Sequence, residues 1–121
     1  MEKLLSVQEI ALKSGITAYT LRYYESLGIL RPQRDKNNRR VYSDFDMEQI
    51  SCITTLRKMN VPLTKIIEFH KLKFIGKSTI EDRIELLQQH FEYLASLKSK
   101  MEEDMDFIKL KIDRLRGRID E

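Results

Sequence analysis

The stretch TAYTLRYYESLGIL, Thr17 to Leu30, is where this sequence commits to a fold. Leu21, Tyr24 and Leu27 recur at the spacing that lines one side of an α-helix, so that side is expected to face a core. Thr17 is a good N-cap and Gly28 a good stop, which bounds the helix at both ends. The opposite side carries Ala18, Tyr19, Arg22 and Tyr23. An exposed phenol and guanidinium near a helix N-terminus can donate to phosphate oxygens or base edges. Two readings of that side stand at this point: it touches a partner, or Tyr23 and Tyr24 merely pack and Arg22 pairs with Glu25 or Ser26.

Toward the N-terminus, Ser6-Val7-Gln8-Glu9 has the form of a capping box, in which Ser accepts from the Glu amide while the Glu carboxylate reaches back. A short helix follows, with Val7, Ile10 and Ala11 inward, and ends at Gly15, where a left-handed residue turns the chain. Ile16 makes a buried corner. Helix, tight glycine turn, helix is the outline of a helix-turn-helix.

Toward the C-terminus, Pro32 forbids further helix, and LRPQRDKNNRRVYS, residues 30–43, reads as extended, turn, extended. Asn37 and Asn38 can both take positive φ. They are the expected tip of a hairpin with Arg31 and Arg34 on one arm and Arg39 and Arg40 on the other. Ser43 then caps a third helix, with Asp44 and Asp46 in its first turn and Phe45, Ile50, Ile53 and Leu56 on its apolar side. Asn60-Val61-Pro62 breaks it, and a fourth helix is expected from Leu63 through Ile66, Ile67 and His70.

Beyond Gly76-Lys77-Ser78 the pattern changes again. Ile84, Leu87, Phe91, Leu94, Met101, Met105, Ile108, Ile112, Leu115 and Ile119 alternate spacings of three and four, interrupted only by Lys98. Such a heptad repeat is expected as one helix of roughly 35 to 40 residues whose apolar stripe needs cover. The upstream part is too short to cover it, so pairing with a second copy of the chain, parallel or antiparallel, is the economical solution.

Composition points the same way. The 121 residues are 34% charged and 41% hydrophobic with only 4 Gly and 2 Pro, which favours a helical chain over a sandwich or a disordered one. No apolar run reaches membrane-spanning length and MEKLLSVQEI lacks a signal peptide's apolar core, so a cytoplasmic protein is expected. The net charge of +3 divides unevenly: residues 1–76 carry 13 Lys+Arg against 8 Asp+Glu, a balance of +5, and residues 77–121 carry 9 against 11, a balance of −2. Six of the basic residues fall between Arg22 and Arg40, which suits a polyanion or else a solvated basic face. Cys52 is alone, and with His70 and His90 far apart it makes no metal-ligand set, so no metal or cofactor is expected. The sequence also lacks a Gly-rich phosphate loop, a catalytic carboxylate pair and a nucleophile beside a base, so an enzyme is not expected.

The runs Ser6 to Ala11, Gly15-Ile16-Thr17, Thr20-Leu21-Arg22-Tyr23-Tyr24-Glu25, Leu27-Gly28-Ile29-Leu30, Pro32-Gln33-Arg34, and Arg40-Val41-Tyr42 ahead of Asp46 together resemble the N-terminal domain of MerR-type transcriptional regulators. The likeness continues through Leu56-Arg57 and Ile66 into the long last helix. It implies a mostly α fold: a winged helix-turn-helix DNA-binding domain over residues 1–76 with a small β-hairpin wing, then an antiparallel coiled-coil dimerisation helix over residues 77–121. It further implies a homodimer that binds a pseudo-palindromic promoter operator and distorts it so that RNA polymerase can act. By position, Thr17, Tyr19, Arg22 and Tyr23 would contact DNA from the second helix, and Arg39, Arg40 and Tyr42 from the wing. The family's wing usually reads Asn-Gly-Tyr-Arg, whereas here Asn37 is followed by Asn38 and Arg39 before Arg40.

In Ser78-Thr79-Ile80, Arg83, Leu86-Leu87 and Lys111-Ile112 the last third resembles short members without a separate ligand-binding domain, of the aldehyde- and electrophile-responsive kind. That implies an unidentified small-molecule effector. Metal-sensing members place cysteines at the end of the dimerisation helix, where this sequence has none. Cys52 lies in the helix that carries the sensor cysteine of electrophile-responsive members, yet aligning on Leu56-Arg57 puts their cysteine on Thr55. Cys52 is thus a small core hydrophobe, or a thiol sensor that needs exposure and a cation such as Arg57 or Lys58. An effector-independent DNA-architectural factor and a coiled-coil protein-interaction module are the alternative functions.

Overall fold

The computed structural model describes residues 3–117 of the chain. Ser6 serves two elements at once: it closes strand β1 (Leu5–Ser6) and caps helix α1 (Val7–Ser14). Its Oγ accepts from the Glu9 amide at 3.1 Å while Glu9 Oε1 accepts from the Ser6 amide at 2.9 Å, so the capping box closes in both directions. Those bonds favour the ionised form and hold the Glu9 carboxyl below the usual carboxylate range. At the other end Gly15 takes φ 77° and ψ 9°, and its amide returns to the Ala11 carbonyl at 2.9 Å. Glycine adopts that turn without the strain a Cβ would bring.

Thr17 then starts helix α2 (Ala18–Ser26), its Oγ1 accepting from the Thr20 amide at 3.1 Å. Past Leu27 and Gly28 the chain turns back, and Ile29 and Leu30 enter the core. Strands β2 (Gln33–Arg34) and β3 (Arg40–Tyr42) form the expected hairpin, with Arg34 opposite Arg40. Strand β3 also pairs with β1, Leu5 opposite Tyr42. The wing is therefore part of a three-stranded antiparallel sheet of order β1-β3-β2 rather than an isolated hairpin.

A second capping box, Ser43 with Asp46, begins helix α3 (Asp44–Lys58). Asp46 is buried, and its carboxylate accepts from both the amide and the hydroxyl of Ser43. Helix α4 (Leu63–Ile75) follows Asn60, which takes φ 63°, and Pro62, which needs no amide hydrogen at a helix start. A single 3₁₀ turn (Lys77–Thr79) leads into helix α5 (Ile80–Arg116), whose 37 residues span about 55 Å.

One buried cluster holds these elements together: Ile10 of α1, Leu21 and Tyr24 of α2, Ile29, Leu30, Tyr42 of β3, Ile50, Ile53 and Leu56 of α3, and Ile66 of α4. Each large aliphatic side chain removed from water contributes about 1.5–3 kcal/mol, so this cluster is the main source of the head's stability. Phe45, expected on the buried side of α3, is half exposed. Asp46 and Gln49 take the inward positions, and the Phe45 ring stands edge-on to Phe74 with centroids 6.3 Å apart.

The described residues divide into two compact units, which part between Arg83 and Ile84. The first extends past the expected limit at Gly76 because Thr79 and Arg83 are tied back to it. The Thr79 hydroxyl lies 2.7 Å from the carbonyls of both Leu72 and Gly76, and Arg83 donates to the Thr79 hydroxyl and the Gly76 carbonyl. Along the rest of α5, Ile84, Leu87, Phe91, Met101, Met105, Ile108 and Ile112 are each between 42% and 67% exposed, with Leu94 partly buried. Ile119 lies outside the described residues.

Candidate nucleic-acid interface

Helix α2 sorts its side chains by their helical phase. Leu21 and Tyr24 are buried, while Arg22 is exposed and Tyr19 and Tyr23 are 75% and 44% exposed. A turn of about 100° per residue brings Tyr19, Arg22 and Tyr23 onto one face. Tyr23 keeps its ring 6.2 Å from that of Tyr24, so the exposed phenol is braced by a buried one.

Arg22 forms no ion pair among the described residues. Glu25, its possible partner on the same helix, is occupied by the wing instead. Its Oε1 accepts from Arg34 Nη2 at 3.3 Å and its Oε2 accepts from Arg40 Nε. One carboxylate at the end of α2 thus joins β2 and β3. The sequence held a signal of this, Glu25 as one of only two acids in the basic stretch with arginines to either side of the hairpin tip, but pairing across 15 residues is invisible without the fold.

Asp35 builds the tip of the wing. Its Oδ1 accepts from the amides of Asn37 at 2.8 Å and Arg39 at 3.0 Å, and its carbonyl accepts from the Asn38 amide at 2.9 Å. Of the two asparagines only Asn38 takes positive φ, 61°. This turn leaves Lys36 and Arg39 exposed and without ion pairs among the described residues. Arg31 is committed elsewhere, its guanidinium 3.9 Å from the centroid of the Phe74 ring.

The other three expected contact residues each carry a structural role. Tyr42 is wholly buried, because β3 is the central strand and this side chain faces the core. Burial pushes its phenol above the ordinary range, with Arg40 opposing, and it supports the wing from inside without offering a surface to a duplex. Arg40 is held by Glu25. The Thr17 hydroxyl caps α2 and bonds Thr20 Oγ1 at 3.0 Å.

A polar relay, buried at Gln49 and His70 and partly exposed at Lys73, links α3 to α4. Lys73 Nζ donates to Gln49 Oε1, and Gln49 Nε2 lies 3.0 Å from His70 Nδ1. Lys has only protons to give, so Oε1 is the acceptor, the amide NH2 faces Nδ1, and the His70 proton sits on Nε2. Burial, and then the Lys73 charge, lowers the His70 pKa to about 4. Cys52 is half-buried against the core. Burial pushes its thiol up, and the opposing charge is Lys73 rather than Arg57 or Lys58, a setting unlike that of a reactive thiolate.

On α5, Met101, Met105, Ile108 and Ile112 line an apolar groove together with Asp104 and Lys109. Among the described residues no helix is long and apolar enough to cross a membrane.

The family model described as MerR HTH family regulatory protein matches residues 5–72, more than half of the chain. The chain belongs to the MerR family. It is 34% identical to the uncharacterized HTH-type transcriptional regulator YyaN of Bacillus subtilis (strain 168), over 91% of this chain and 89% of that one. Among solved structures it is similar to HiNmlR, a MerR family regulator lacking the sensor domain, bound to promoter DNA. That likeness has a TM-score of 0.78 at 27% identity and covers 95% of this chain and 92% of the other. A MerR family transcriptional regulator from Listeria monocytogenes superposes with a TM-score of 0.81 at 29% identity, covering 93% and 86%. This MerR-family chain is a DNA-binding transcriptional regulator, and the relatives and neighbours it matches are regulators, not enzymes. The MerR match takes in β1, α1, α2, the wing, α3 and most of α4, and so includes both α2 and the wing tip.

Proposed function

We propose that this regulator acts as a homodimer that sets two heads on one pseudo-palindromic promoter operator, joined by an antiparallel coiled coil of α5. The observation that carries the reading is the face of α2 on which Tyr19, Arg22 and Tyr23 stand exposed, with the wing that Glu25 ties to the same helix carrying the cations Lys36 and Arg39, unpaired among the described residues. The α2 side chains reach base edges and phosphates, the wing cations reach the flanking backbone, and Thr17 brings the N-terminal amides of α2 to a phosphate. The exposed seam from Ile84 to Ile112 supports pairing, since a second α5 buries what one chain leaves in water. The promoter DNA bound to HiNmlR supports the same partner here.

The two heads bend and untwist the operator between them, so that RNA polymerase engages the promoter from the cytoplasm. Bending a site of about 20–30 bp costs about 1–6 kcal/mol, and a small-molecule effector acts by favouring the dimer state that best holds the bent duplex. Sedimentation equilibrium combined with fluorescence anisotropy on duplexes tests this. The expected result is a dimer that prefers one pseudo-palindrome, selected from a random pool, over a scrambled duplex and loses affinity steeply between about 50 and 200 mM salt. Equal binding to both duplexes favours an architectural factor, and no binding favours a protein-interaction module; either result refutes the proposal.

A further inference from the structure

Glu25 stands on the flank of α2, three residues after Arg22, with its side chain 25% exposed. Both of its oxygens are used by the wing: Oε1 by Arg34 and Oε2 by Arg40, whose own side chains are 41% and 26% exposed. Arg34 and Arg40 face each other across β2 and β3, so the carboxylate grips the hairpin at one rung. Arg22, closer along the chain, is left out of the pairing and stays free on the exposed face. The cations of this region therefore fall into two sets. Arg22, Lys36 and Arg39 form no ion pair among the described residues, whereas Arg34 and Arg40 are both engaged by Glu25.

We propose that Glu25 is a positioning and selectivity residue of the DNA-binding head: it fixes the wing at one distance from α2 and withholds Arg34 and Arg40 from phosphates. The inference rests on the operator-binding reading above. Its physical basis is that phosphate contacts carry affinity without sequence information, so every guanidinium released to the backbone raises binding to any duplex alike. A wing held at one distance also lets only a duplex of the right groove shape meet α2 and the wing together. Two withheld guanidiniums per head make four per dimer.

The test compares wild type with Glu25→Gln, which keeps the side-chain shape and removes the charge, on the selected pseudo-palindrome and on a scrambled duplex across a salt series. Glu25→Gln is expected to bind the scrambled duplex roughly tenfold more tightly at low salt, with a log-log salt slope steeper by about 2 to 4, and to lose preference for the pseudo-palindrome. An unchanged preference, or an unchanged slope, overturns the inference. The double variant Arg34→Gln/Arg40→Gln approaches the link from the other side. It is expected to lose preference while keeping the wild-type slope on the pseudo-palindrome, and adding Glu25→Gln to it is expected to change nothing further. A flatter slope in the double variant means that these guanidiniums already sit on phosphates in the operator complex, and that too overturns the inference. If wild type itself shows no preference between the two duplexes, the operator reading fails and takes this inference with it. If wild type discriminates and Glu25→Gln discriminates equally well, the inference alone fails.

Discussion

The side-chain amide of Gln49 on α3 and Nδ1 of His70 on α4 lie 3.0 Å apart in the buried interior of the head. Folding keeps this histidine neutral down to about pH 4, whereas the unfolded chain takes up the same proton near pH 6.5. Between those values the unfolded state binds more protons. The stabilisation is therefore present in full above about pH 6.5 and is lost as pH falls toward 4, by about 2–3 kcal/mol. Urea unfolding at pH 7 and pH 4.5 measures this. His70→Leu is expected to lose less stability between the two pH values than wild type, and equal losses contradict a neutral buried His70.

Leu21 and Arg22 are neighbours in sequence with opposite duties. Leu21 is wholly buried, so Leu21→Ala is expected to cost about 2–5 kcal/mol of stability. Arg22→Ala is expected to change stability by no more than about 0.5 kcal/mol while weakening operator binding by about 1–3 kcal/mol. Thermal melts and anisotropy on the two variants check the pair, and a matching loss of stability in both contradicts the facing of α2.

Tyr42 offers a sharper test because its hydroxyl is buried without a hydrogen-bond partner among the described residues. Removing an unsatisfied buried hydroxyl relieves a penalty of about 1–3 kcal/mol. Tyr42→Phe is thus expected to be at least as stable as wild type, with operator affinity unchanged. A tenfold weaker affinity in Tyr42→Phe would restore this residue to the contact surface.

Ile108 is 56% exposed in the single chain, so a charged side chain there costs an unpaired helix little. Glutamate is also a good helix former. Ile108→Glu is expected to keep helix content by circular dichroism, to sediment as a monomer, and to bind the operator at least tenfold more weakly, since two heads no longer share one molecule. A dimer of wild-type stability contradicts the seam.

Local signals were the legible ones. Ser6 with Glu9, Gly15, Thr17 and Ser43 each act within four residues, so their roles could be read before any tertiary structure existed. The repeat from Ile84 to Ile112 was legible because it depends on phase alone. What escaped were features that need a partner distant in sequence. β1 has two residues and takes its meaning from β3. Tyr42 turns inward because β3 became the central strand, and Phe45 moved to the edge of α3 because Asp46 and Gln49 fill the interior. At the interface the split between Tyr19, Arg22 and Tyr23 and the core residues followed from spacing. The division of the arginines between free and held did not, since Glu25 had five arginines from Arg22 to Arg40 to choose from.

The dual membership of Ser6 has a mechanical side. No spacer separates β1 from α1, and β1 is bonded to the strand that forms one arm of the wing. A load applied at the wing tip is therefore passed along β3 and β1 directly into the first turn of α1, with no slack joint to absorb it. The sheet and α1 are coupled end to end, so a displacement of the wing arm β3 is felt at the first turn of α1.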